Sequence, residues 1–136
     1  MLTYLIRLFE LFLKLPKPVQ IQIINAIVAT LDNVFKRFRN TKGKEDFKTA
    51  TEEAITPQQW QGTTVAVSSF IPSIYSQKKK DEFANSVIQL VKSEGFLNEL
   101  SKRINNIQTD DEESYVALCS IETKKLIIEM LEKNTK

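Results

Sequence analysis

The chain has 136 residues, 42% of them hydrophobic, with 19 basic and 17 acidic groups and a formal net charge of +2. That length and apolar content suit one globular domain, burying about two-thirds of the surface that its unfolded form exposes. Its single cysteine, Cys119, excludes an internal disulfide framework and a cysteine-based structural zinc site, and points to a reducing, cytoplasmic compartment.

Residues 1 to 15, MLTYLIRLFELFLKL, are strongly apolar. On a helix, Thr3, Arg7, Glu10 and Lys14 fall in one narrow polar stripe. Leu2, Leu5, Ile6, Leu8, Phe9, Leu11, Phe12, Leu13 and Leu15 cover the rest, and a helix apolar on most sides usually lies inside something. No basic region precedes the run and Pro16-Lys17-Pro18 is no small-residue cleavage site, so a signal peptide is not expected. A spanning helix needs about 20 apolar residues, and Pro16 stops this one after about 15. Its surface is therefore expected against protein, in the chain's own bundle, a second copy or a partner.

A second helix is predicted to begin near Pro18, with Ile24, Val28, Leu31, Phe35 and Phe38 in one stripe widened by Ile27 and Val34. The prolines allow a short connection, so residues 1–39 form a strongly apolar, basic helical hairpin in this reading. It is the candidate face for a protein partner or a homo-oligomer, through Leu5, Leu8, Phe9, Phe12 and Leu15.

Amphipathic helices follow over residues 44–133. After the polar break NTKGK, a short helix places Phe47, Thr51, Ala54 and Ile55 on one face. Thr56-Pro57-Gln58-Gln59 has the form of a capping box, flanked by Ile55 and Trp60 at the positions of a hydrophobic staple. That start argues for a helix ending before Pro72, although TTVAVSSFI alternates as a strand would. Ser76 is expected to cap the next helix, with Phe83, Val87, Leu90 and Val91 inward and Gly95 as a left-handed stop. Phe96, Leu97, Leu100, Ile104 and Ile107 trace another. Thr109-Asp110-Asp111-Glu112 reads as a second capping box before a long last helix carrying Tyr115, Cys119, Leu126 and Met130 on one face. The fold class is all-α: a compact single-domain bundle of six or seven helices over residues 1–136.

The absence of histidine from the sequence removes the commonest general base and metal ligand. Gly43, Gly62 and Gly95 stand alone and read as breaks or caps rather than as a phosphate loop. The carboxylate clusters at Glu52-Glu53 and Asp110 to Glu113 suit helix ends or solvated faces. Cys119 on an apolar face reads as a small core residue. Neither catalysis, a metal, a cofactor nor a small-molecule substrate is expected.

Charge is unevenly placed: residues 1–39 carry six basic and two acidic groups, residues 81–136 seven and eleven. Two basic clusters, Lys36, Arg37, Arg39, Lys42 and Lys44, and Lys78, Lys79 and Lys80, are candidates for contact with an anionic surface. The expected function is a non-catalytic macromolecule-binding protein, a small adaptor, regulator or inhibitor acting through helical surfaces. The alternative is a peripheral membrane protein with its first helix at an anionic lipid interface, favoured by Arg7, Lys14 and Lys17. A third reading is nucleic-acid binding through the lysine and arginine clusters.

Overall fold

The computed structural model describes residues 10–41 and 45–134, and these form an all-helical bundle with no strand among them. Residues 10–14 are helical and turn through Leu15 and Pro16 into α1 (Lys17–Thr41). Then come α2 (Phe47–Ala54), α3 (Pro57–Phe70), α4 (Gln77–Lys92), α5 (Glu94–Ile104) and α6 (Glu112–Asn134). Most of the predicted first helix lies outside the described residues, and so does the shape of the hairpin as a whole.

The longest helix, α1, organises the bundle, because its buried apolar residues recur every three or four positions from Ile23 to Phe38. Every member of the predicted stripe is buried, and Ile23 joins it. α1 packs on α2, α3 and α6, while α4 packs on α3 and α5 and α6 also packs on α5. The core is one contiguous cluster running from Leu11 to Leu131. Phe47 of α2 lies between two α1 rings, with centroids 6.3 Å from Phe35 and 5.4 Å from Phe38, the latter edge-on.

Helix starts follow local chemistry. The Asp46 carboxylate accepts the Thr49 amide at 2.7 Å and starts α2. The predicted box at α3 forms in full: Thr56 Oγ1 accepts from the Gln59 amide at 3.1 Å, and the Thr56 amide donates to Gln59 Oε1 at 2.7 Å. With Pro57 in the first turn, this satisfies amides that a helix end otherwise leaves open, and the strand-like TTVAVSSFI is helical through Phe70. Ile55 and Trp60 are both buried, and the Lys92 ammonium lies 5.6 Å from the Trp60 ring centroid.

Three local expectations are corrected. Gly95 is not a left-handed stop but sits in the first turn of α5. Ser93 makes the junction, its amide donating to the Leu90 carbonyl while its hydroxyl accepts the Phe96 amide at 3.3 Å. A serine that closes one helix and opens the next leaves the glycine no turn to make. Gly62 likewise lies inside α3 rather than at a break. Before α6, Asp111 is the cap: its carboxylate accepts the Ser114 amide at 2.9 Å, and the Thr109 hydroxyl donates to the Asp111 carbonyl instead of forming a box. The helix starts at Glu112, so the cap position is Asp111 and the amide three residues on is that of Ser114 rather than of Glu112.

Candidate functional site

The elbow between residues 10–14 and α1 is built by Gln20, a polar side chain to which the sequence reading assigned no role. It is buried, and its Nε2 donates to the Leu15 carbonyl at 2.9 Å and to the Leu13 carbonyl at 3.4 Å. Those carbonyls end a helix cut short before Pro16, so the amide supplies the partners that the next turn would have provided. The signal in the sequence is a glutamine one turn beyond a proline stop. The Pro16 carbonyl accepts from Gln20 at 3.1 Å and opens α1.

Held this way, Leu11, Phe12 and Leu15 point into the core, and the Phe12 ring stacks on Phe83 of α4 at 6.3 Å. Phe12 is only 1% exposed, so Phe12 and Leu15 complete the chain's own core and do not present the partner face expected of them. Leu5, Leu8 and Phe9 lie outside the described residues. Leu13, 39% exposed, and Ile21, 56% exposed, stay outside the core instead, with exposed Lys14 and Lys17 between them in sequence.

Of the first basic cluster, Lys42 and Lys44 also lie outside the described residues, and the other three cations have partners within the chain. Lys36 pairs with Asp32 one turn earlier at 3.7 Å. Arg37 makes a two-pronged contact with Glu45, at 2.7 and 3.1 Å, that holds the glutamate below the usual carboxylate range. Arg39 donates to the Asp110 carbonyl at 3.0 Å, tying α1 to the turn before α6. The expected stretch of free cations is thus largely a set of structural ties. Lys78, Lys79 and Lys80 differ: they occupy the first turn of α4, with Lys79 5.9 Å from the Tyr75 ring centroid.

The remaining reactive groups serve packing. Burial pushes the Cys119 thiol up to about 12 and raises the neighbouring Tyr115 hydroxyl as well. A thiol so rarely ionised is a poor nucleophile. Arg103 on α5 bridges Glu99 on its own helix, at 3.3 Å, and Glu129 on α6. A groove of about 580 Å³ lies between the end of α1 and the α5–α6 connection, lined by Phe38, Arg39, Ile107, Asp110 and Tyr115 among others. Among the described residues no group of three or more histidine, cysteine or carboxylate side chains is placed to hold a metal. No helix of the described residues is long and apolar enough to cross a membrane.

On α6 a second exposed apolar feature appears. Leu118, Ile121 and Ile128 fall at spacings of three and seven on one outward side, with exposed Lys125 between Ile121 and Ile128, opposite buried Cys119, Thr123, Leu126 and Ile127. Sequence reading missed this group because it followed only the inward face of the helix. Comparison with protein-family models, with curated proteins and with solved structures gives no match.

Proposed function

We propose that this chain is a non-catalytic macromolecule-binding protein, a small adaptor, regulator or inhibitor that acts through helical surfaces. The observation that carries the reading is the outward group of Leu118, Ile121 and Ile128 on a helix whose inner face is already filled. Apolar side chains aligned along one exposed helix face suit a partner helix or a second copy better than they suit water. The apolar N-terminal hairpin remains the other candidate face, now through Leu5, Leu8 and Phe9, since Phe12 and Leu15 are used internally.

The test is a full-length Leu118→Lys/Ile121→Lys variant compared with wild type by sedimentation velocity and by affinity capture from the native cell. The expected result is an unchanged circular-dichroism melt with loss of self-association or of a specific co-purifying protein. A wild type that is monomeric and captures nothing beyond what the variant captures overturns the reading.

A second reading, attachment to an anionic membrane surface, is favoured by the elbow, where exposed Leu13 and Ile21 flank exposed Lys14 and Lys17. Aliphatic groups beside lysines combine burial in the headgroup region with attraction to anionic lipid.

A further inference from the structure

The most exposed large aliphatic side chain of the described residues is Ile74, 86% exposed, in the turn between α3 and α4. Its sequence surroundings, Ile71-Pro72-Ser73-Ile74-Tyr75-Ser76 followed by Gln77-Lys78-Lys79-Lys80, place an isoleucine just ahead of three lysines. The turn is held from both sides. Ser68 Oγ donates to Asp81 Oδ1 at 2.8 Å and Gln77 Nε2 donates to the same oxygen at 2.9 Å, clamping the end of α3 to the start of α4. Ile71 is buried and anchors the near side, and the Tyr75 amide donates to the Pro72 carbonyl at 3.1 Å. An isoleucine presented to solvent on a clamped turn gains nothing for the fold and costs apolar exposure.

The same end of α4 receives the elbow. Phe12 stacks on Phe83, and Lys79 and Lys80 lie one turn before Phe83, a rise of about 6 Å. Leu13 and Lys14 follow Phe12 directly in the chain. The stack therefore sets Leu13 and Lys14, next to Phe12 in the chain, close to the first turn of α4 with Lys78, Lys79 and Lys80. The two linked segments, the elbow and the α3–α4 turn with the start of α4, carry five lysines: Lys14, Lys17, Lys78, Lys79 and Lys80. Three carboxylates oppose them, Glu10, Asp81 and Glu82, and Asp81 is the one held by Ser68 and Gln77. The two segments together are net cationic, and each exposes aliphatic side chains, Leu13 and Ile21 at the elbow and Ile74 at the turn.

We propose that this end of the molecule, the elbow together with the α3–α4 turn, is a docking surface for an anionic lipid bilayer, with Ile74 and Leu13 entering the headgroup region and the lysines facing lipid phosphates. The inference rests on the membrane-surface reading above and gives it a site. Charge complementarity selects the occupant. Attraction of the lysines to an anionic surface acts over about a Debye length and needs no shaped pocket, and separate aliphatic groups reach the acyl boundary without a matching groove.

The test is flotation of the full chain with vesicles of phosphatidylcholine alone and of phosphatidylcholine mixed with phosphatidylglycerol. Wild type is expected to float with the mixed vesicles only, and less so as salt is raised. Lys78→Gln/Lys79→Gln should weaken partitioning about 30-fold, from about 1 kcal/mol per lysine near an anionic surface. Ile74→Ser should weaken it about tenfold. Lys124→Gln/Lys125→Gln, an equal charge change on α6, should stay within about twofold of wild type. If wild type floats but Ile74→Ser and Lys78→Gln/Lys79→Gln float equally well, this site is wrong while the membrane-surface reading survives. Failure of wild type to float with either vesicle, or equal flotation with both, overturns the site and that reading together.

Discussion

The lysine-bearing end at the elbow and the α5–α6 junction carry similar side chains put to opposite uses. At the junction Arg103 sits between Glu99 and Glu129, and its charge joins two helices. At the elbow end, Lys14, Lys17 and Lys78 have no carboxylate partner among the described residues, and isoleucine and leucine stand exposed beside them. The elbow itself is held by Phe12 and the Gln20 amide, so its lysines are not needed for packing. Charge that serves the fold finds a partner across a helix interface. Charge left beside exposed aliphatics has no such partner among the described residues, and the proposed bilayer contact would supply one.

The sharpest way to break the contrast is to remove the apolar tie that holds the elbow. Phe12→Ala deletes a fully buried ring stacked on Phe83 and should cost about 3–5 kcal/mol in a denaturant melt. A loss under about 1 kcal/mol would mean that the elbow is not docked on α4. Between the two ends, the α1–α3 contact offers a stabilising change. Gly62 lies in the interior of α3 beside a shallow groove formed with Ala26, Ala29 and Thr30, and an added Cβ meets nothing within 4 Å. Gly62→Ala should raise stability by about 1 kcal/mol through helix propensity alone, seen as a higher melting temperature. Unchanged or lower stability would place a close neighbour at that position.

At the junction the expected energies are smaller. A double-mutant cycle of Arg103→Ala with Glu129→Ala should give a coupling of about 0.5–1 kcal/mol that shrinks with salt, because both side chains retain solvent contact. Coupling well above that would make the junction a buried ion pair. The smallest effect concerns acid. The Ser114 amide holds the Asp111 carboxyl below its ordinary range, the Thr49 amide does the same for Asp46, and Arg37 does so for Glu45. A carboxyl depressed in the folded state contributes stability that is present above its unfolded value and lost as pH falls through the folded one. Melting temperature should therefore drop below about pH 4. Asp111→Asn retains a capping oxygen but no titration, so it should flatten that drop while leaving neutral stability nearly unchanged. Parallel curves for variant and wild type would remove Asp111 from the acid response.

What could be read along the chain is what one or two turns decide. The box at Thr56 and Gln59, the cap at Ser76 and the buried stripe from Ile24 to Phe38 all formed as the spacing predicts, because amides and side chains within four positions meet whatever the rest of the fold does. Gly95 and Thr109 misled for the same local reason: each helix boundary lies two residues from the one the spacing suggested, so Ser93 and Asp111 hold the cap positions. The functional surface was less legible. Whether Phe12 faced a partner or the core depended on Phe83, and whether Arg39 was free depended on Asp110, 71 residues further on. Apolar periodicity marks which side of a helix avoids water but carries no record of what covers it. That Phe12 is covered while Leu13 and Ile74 are not follows from how α1, α3 and α4 meet, since a side chain's burial depends on every element within reach and a one-dimensional pattern sees only its own.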